Sequence, residues 1–126
     1  MTYTVVIVLT IVLGFILFKN KIDSIPEVMN YADIDVKEAK KMLSKGEATA
    51  LDVRTSLEVS HGKIIGSKSI NFSSPSFADA LNSIEKNETY IVYCRSGRRS
   101  RQACKAMSKQ GFKNIYNLAG GYNVWS

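Results

Sequence analysis

The stretch that decides the fold class is "TYIVYCRSGRRSRQACKAMSKQG", residues 89–111. An apolar run of β-branched and aromatic residues, Tyr90 to Tyr93, ends on Cys94. That composition predicts a strand, the most apolar in the chain and therefore a central one. The loop Arg95, Ser96, Gly97, Arg98, Arg99 follows, and a helix is expected from about Ser100 until Gly111 closes it. A strand, a tight loop and a helix in succession form the repeating unit of α/β folds, whose ligands sit beyond the carboxyl ends of the strands. Cys94 stands at such an end.

The flanking sequence continues the alternation. Asp35 reads as an N-cap with Glu38 three residues on, opening a helix over "VKEAKKMLSKG" that Gly46 terminates. "ATALDV", residues 48–53, is a short strand, and Asp52 and Arg54 mark its end. "SLEVSHGK" reads as one helical turn and a loop, "SKSINF" as a strand, and "SPSFADALNSIEK" as a helix with Ser74 at its cap and Pro75 in its first turn. "KNIYNL" gives the last strand, and "AGGYNVW" a turn into a short terminal helix. The expectation is an α/β domain with a central, mainly parallel sheet over residues 34–126, after a linker at 19–33.

Residues 1–18, "MTYTVVIVLTIVLGFILF", carry no charged side chain. As a helix they extend about 27 Å, close to the hydrocarbon thickness of a bilayer. A cleaved signal peptide would place its positive charges before the apolar run and a small-residue cleavage site after it. Here Lys19 and Lys21 follow the run. We expect a single transmembrane anchor in the inner or plasma membrane, with the flanking lysines and the domain on the cytoplasmic side. That reducing compartment suits a free thiol.

The net charge is +6, and after Glu88 no acidic residue occurs, whereas Arg95, Arg98, Arg99, Arg101, Lys105, Lys109 and Lys113 are all cationic. Such a face attracts anions. No aromatic and basic interleaving or base-reading motif supports nucleic acid as the partner. The two cysteines and the single His61 lack metal-ligand spacing, so no metal and no cofactor is expected. A Cys94–Cys104 disulfide is an alternative, but a cysteine opening a Gly/Arg loop reads as a reactive thiol. Cys104, beside Ala103, Ala106 and Met107, reads as a small buried apolar residue. Backbone amides of the loop and the N-terminus of the next helix would lower the Cys94 pKa and bind an anion. On this reasoning alone sulfur and phosphate are both candidates.

With these residues in view the chain resembles a single-domain rhodanese, of the thiosulfate sulfurtransferase family. The resemblance rests on "LDVRTSLEVSHGKIIGSKSIN", "YIVYCRSGRRS" and "GFKNIYNLAGGYNVW", in that order, over about residues 33–126. It implies a three-layer rhodanese-like domain and a persulfide on Cys94, formed from a small anionic sulfur donor such as thiosulfate. The sulfur would pass to a thiol acceptor (glutathione, a thioredoxin-like or other protein thiol) or to cyanide. The loop Arg95, Ser96, Gly97, Arg98, Arg99 would hold the anion, with Arg99 closing it. Asp52, Arg54 and Glu58 would brace it, Glu58 pairing with Arg54. One departure is visible: the family has Gly-His where this chain has His61-Gly62-Lys63. Phosphatases and arsenate reductases of the same fold place an arginine sixth after the cysteine. Here the sixth residue is Ser100 and the fifth is Arg99, a tighter ring that favours sulfur. A non-catalytic docking module is the alternative from another class, and Cys94 counts against it.

Overall fold

A computed structural model describes residues 2–23 and 29–125 of the chain. The elements are α1 (Thr2–Asp23), β1 (Tyr31–Ile34), α2 (Val36–Ser44), β2 (Thr49–Asp52), α3 (Ser56–Ser60), β3 (Lys68–Ser69), α4 (Phe77–Leu81), β4 (Thr89–Tyr93), α5 (Arg98–Lys109), β5 (Asn114–Leu118) and a closing 3-10 turn (Gly121–Val124). The five strands form one sheet in the order β1-β5-β4-β2-β3, and every pairing is parallel. β4, the apolar run before Cys94, is the middle strand.

Alternation along β4 divides the interior into two layers. Tyr90, Val92 and Cys94 face one cluster with Leu51, Val53, Phe77, Leu81, Ala103, Cys104, Met107, Phe112 and Ile115. Ile91 and Tyr93 face the other, with Ala39, Ala50, Ile64 and Leu118. The period of two that sends successive side chains to opposite faces thus seats α4 and α5 on one side and α2 on the other. The α2 cap forms as its sequence implies: the Asp35 carboxylate accepts from the Glu38 amide at 2.8 Å.

Several boundaries differ from the sequence reading. The apolar helix runs on to Asp23, and the domain begins at Tyr31 with a strand inside the segment read as linker. "YADI" is short and mixes the strand formers Tyr31 and Ile34 with Ala32 and Asp33; it is extended because residues 31–34 pair with 115–118 of β5 along a sheet edge. Pro26 lies outside the described residues. α4 covers only Phe77–Leu81, because Ser74 caps a turn, its hydroxyl accepting from the Ser76 amide, and not the helix. α5 starts at Arg98 and not near Ser100, because Gly97 at φ 106° supplies the left-handed turn that starts the helix.

α1 is exposed along residues 2–19, and its span Thr2–Lys19 has mean hydropathy 2.2. By length and composition it can cross a membrane. Its hydroxyls need not obstruct this: Thr10 donates to the Ile7 carbonyl at 2.8 Å, inside the helix's own turn.

Met107, fully buried between α5 and the sheet, tests this packing. Met107→Ala should cost about 2–5 kcal/mol through lost apolar burial and a cavity. Leu57→Ala, at a side chain 70% exposed, should fall within about 0.5 kcal/mol of wild type. Urea unfolding of the detergent-solubilised chain measures both, and equal effects would place Met107 outside the core.

Candidate active site

β4 delivers Cys94 to the carboxyl edge of the sheet, and the chain's last turn holds it there. The Cys94 carbonyl accepts from the Tyr122 amide at 2.8 Å, and the Arg95 carbonyl from the Asn123 amide at 3.0 Å. The two segments meet at Gly121. A Cβ on that residue would lie 2.6 Å from both carbonyl oxygens, and its φ is +62°. Only glycine allows this approach.

The loop then folds back on the sulfur. The Gly97 amide donates to Cys94 Sγ at 3.1 Å, and Ser100 Oγ lies 3.4 Å from the same atom. Cys94 itself is 1% exposed. Burial pushes its thiol pKa up. The Ser100 hydroxyl and the amides of Ser100, Gly97 and Ser96 pull it down, and the balance leaves it below the ordinary value. Burial instead pushes Cys104 up to about 12, and this free thiol sits inert in the core. The two cysteines are not bonded to each other.

Asp52 and Arg54 form a buried ion pair beside the loop. Arg54 donates through Nη2 to Asp52 Oδ2 at 2.7 Å and through Nε to Oδ1 at 3.0 Å. Nη2 also reaches the Gly62 carbonyl at 2.7 Å. The hydrogen bonds to Asp52 raise the Arg54 pKa. The guanidinium lies 4.3 Å from the ring centroid of Tyr122, the residue whose amide holds the Cys94 carbonyl. Arg54 thus ties β2, the Gly62 turn and the C-terminal turn together under the cysteine.

The expected Glu58–Arg54 pair does not form, because Asp52 and Gly62 already occupy Arg54. Glu58 instead takes Arg99 in a two-pronged pair, at 2.6 Å to Oε1 and 2.9 Å to Oε2. The Arg99 bond, with help from Thr55, lowers the Glu58 pKa to about 2 despite partial burial. Thr55 and Glu58 also complete a capping box at the start of α3. Arg99 therefore clamps α3 to the first turn of α5. Arg95, Ser96 and Arg98 are exposed, and Arg98 and Arg99 belong to the helix rather than the loop. What reaches the sulfur is the Gly97 amide, not an arginine side chain.

Three residues at the site escaped the sequence reading in their present roles. Ser100 reads in the sequence as the start of a helix and as the place where a sixth-position arginine is missing, not as a neighbour of the sulfur. Asn117 is fully buried and accepts the Ser100 hydroxyl at 2.6 Å. A buried asparagine at an inward position of an apolar strand was the available signal. Tyr122, within the stretch that reads only as a turn into the terminal helix, holds the Cys94 carbonyl through its amide. His61 is exposed, with Nδ1 2.8 Å from the Leu57 carbonyl, a loop residue capping α3. Among the described residues no group of three or more His, Cys, Asp or Glu gathers to hold a metal.

Comparison with known proteins agrees with this geometry. The sequence profile of the rhodanese-like domain matches residues 35–126. The chain belongs to the rhodanese family. A sulfurtransferase of Allochromatium vinosum is 32% identical over 95 residues, covering 75% of this chain and 87% of that protein. The thiosulfate sulfurtransferase GlpE of Glaesserella parasuis is 26% identical over 95 residues, covering 75% and 86%. The crystal structure of a rhodanese-like domain protein from Staphylococcus aureus superposes with a TM-score of 0.68 at 31% identity, over 75% of this chain and 91% of that one. The five-stranded parallel sheet flanked by helices is thus the rhodanese fold.

The Glu58–Arg99 clamp has a pH signature. A carboxylate whose folded pKa is depressed contributes stability that is present above its ordinary value of 4.5 and lost as pH falls toward about 2. The difference in melting temperature between wild type and Glu58→Gln should therefore be constant above pH 4.5 and close between 4.5 and about 2. A difference that persists unchanged at pH 2 would show that the carboxylate charge is not what holds α3 to α5.

Proposed function

We propose that this rhodanese is a membrane-anchored sulfurtransferase that carries one sulfane sulfur on Cys94. The observation that carries the reading is the Gly97 amide aimed at Cys94 Sγ, 3.1 Å away, in a loop too short for a sixth-place arginine. An amide directed at sulfur stabilises a thiolate and then a persulfide in the same place.

The reaction has two displacements. The Cys94 thiolate attacks the outer sulfur of a donor such as thiosulfate. A sulfur–sulfur bond forms to Cys94, the donor's own sulfur–sulfur bond breaks, and sulfite leaves with the electron pair. An acceptor thiolate then attacks the terminal sulfur, forming its own persulfide and returning Cys94 as thiolate; cyanide would leave as thiocyanate. Glutathione and protein thiols such as those of thioredoxin-like partners fit the second step. The exposed cations Arg95 and Arg98 stand at the loop and draw the anionic donor in, while Arg99 is engaged by Glu58. The relatives named as sulfurtransferases support this chemistry over phosphoryl or arsenate transfer. A docking module would need neither the amide on sulfur nor the depressed thiol.

Treating the detergent-solubilised chain with thiosulfate should add the mass of one sulfur atom, and Cys94→Ser should abolish both the adduct and transfer to cyanide. An adduct that survives Cys94→Ser, or hydrolysis of an aryl phosphate without sulfur transfer, would overturn the proposal.

The anchor proposal is supported by the exposed apolar span of α1 and by the lysines that follow it. It puts the domain on the cytoplasmic face of the inner or plasma membrane. Protease added outside intact spheroplasts should leave the domain uncut and membrane-bound. Digestion from outside would reverse the topology, and recovery in the soluble fraction would remove the anchor.

A further inference from the structure

Beneath the loop a line of hydrogen bonds leaves Cys94 and crosses the sheet. Ser100 Oγ lies 3.4 Å from Cys94 Sγ and donates to Asn117 Oδ1 at 2.6 Å. Asn117 Nδ2 donates to Asp33 Oδ1 at 2.9 Å. Asp33 also meets Arg101, whose Nη2 is 3.5 Å from Oδ2. Ser100 and Asn117 are fully buried, whereas the Asp33 side chain is half exposed.

The polarity of this line follows from its far end. A carboxylate accepts only, so Asp33 must face the amide nitrogen of Asn117. That leaves the amide oxygen facing Ser100, and the single hydroxyl proton goes to it. Ser100 then offers sulfur a lone pair. A lone pair accepts from a thiol but repels a thiolate. For the hydroxyl to stabilise the thiolate its proton must turn from Asn117 to sulfur, leaving a buried amide oxygen unpaired.

We propose that Asn117, oriented by Asp33, is a positioning residue that competes with the Cys94 thiolate for the Ser100 proton and so sets the reactivity of the thiol. The competition keeps the thiolate from being over-stabilised. That matters for sulfur transfer, because a thiolate's nucleophilicity falls with the pKa of its thiol. The inference concerns ionisation of Cys94 itself. It rests on the sulfurtransferase reading only for its effect on turnover.

Other charges near the sulfur are distinguishable from this line. Arg99 and Cys104 interact with Cys94 from α5, with Arg99 held by Glu58 and Cys104 buried and protonated. Asp33 and Arg101 stand at the far end of the line. Changing Asp33 alters the local field as well as the amide's orientation. Only the second effect requires the Ser100 hydroxyl.

The test is the pH profile of Cys94 alkylation by iodoacetamide, on the full chain in detergent, in a double-mutant cycle. Asn117→Leu frees the hydroxyl for sulfur and should lower the apparent thiol pKa by about one unit, the scale of a hydrogen bond to a charged group. Its limiting alkylation rate at high pH should fall about threefold. In the Ser100→Ala background Asn117→Leu should have no effect on either quantity. Asp33→Ala, at a half-exposed position, releases the amide without emptying the core. It should lower the pKa more with Ser100 present than without it, which keeps the test available if Asn117→Leu does not fold. Equal shifts in both backgrounds, or no shift in either, would overturn the proposal. Alkylation needs no sulfur donor, so it stands apart from a failure of the transferase assay.

Discussion

Everything at the edge of this sheet depends on the hydrogen bond from the Tyr122 amide to the Cys94 carbonyl. It joins the end of the central strand to the last turn of the chain. The bond fixes the peptide that follows Cys94, and hence the direction in which the loop leaves the strand. Gly121 makes it sterically feasible, because any side chain there would strike the Cys94 and Arg95 carbonyls. Arg54 then packs against the Tyr122 ring and anchors it to Asp52. A buried ion pair is weak evidence for stability in general, since desolvation offsets attraction. Here the pair is justified by geometry: one guanidinium satisfies a strand end, the Gly62 carbonyl and an aromatic face together.

The charges sort themselves by depth. Close to sulfur, each cation has an anion: Arg54 has Asp52 and Arg99 has Glu58. Farther out, Arg95 and Arg98 are exposed on a segment of sequence with no acidic residue after Glu88. In the proposed reaction this arrangement separates steering from stabilisation. The rim carries the exposed cations, while the groups within hydrogen-bond reach of the sulfur are neutral: the Gly97 amide and the Ser100 hydroxyl. In the proposed transfer the Gly97 amide, its dipole fixed by the turn, would need no reorganisation as charge moves from thiolate to persulfide and back.

Much of this was legible in the sequence because local rules governed it. β4, α2, α5 and the order of elements from α2 onward follow from apolar runs, caps and glycines that report on their own neighbourhood. Cys94 and its loop were legible for the same reason, since a strand end and a Gly-containing turn are contiguous. What could not be read was whatever depends on partners distant in sequence. β1 is extended only because β5 lies beside it. Glu58 chose Arg99, 41 residues away, over Arg54, 4 residues away, because Arg54 was already held by Asp52 and Gly62. Asn117 could be noticed as polar in an apolar strand, but its link to Cys94 through Ser100 appears only when β4, β5 and α5 are assembled.

The clamp also bears on the choice between sulfur and phosphate, independently of loop length. An arginine that binds a tetrahedral oxyanion presents two parallel N–H donors to it. Arg99 spends both of its terminal nitrogens on Glu58, at 2.6 and 2.9 Å, in a pair that depresses the carboxylate to about 2. For Arg99 to grip a phosphate in the loop, that pair would have to break and leave Glu58 partly buried without its cation. A persulfide asks nothing of the kind. Its terminal sulfur is a single weakly hydrated atom that inward-facing amides can serve. The ring's tightness and the commitment of its arginine therefore favour the same cargo, and both trace to the position of Arg99 one residue nearer to Cys94.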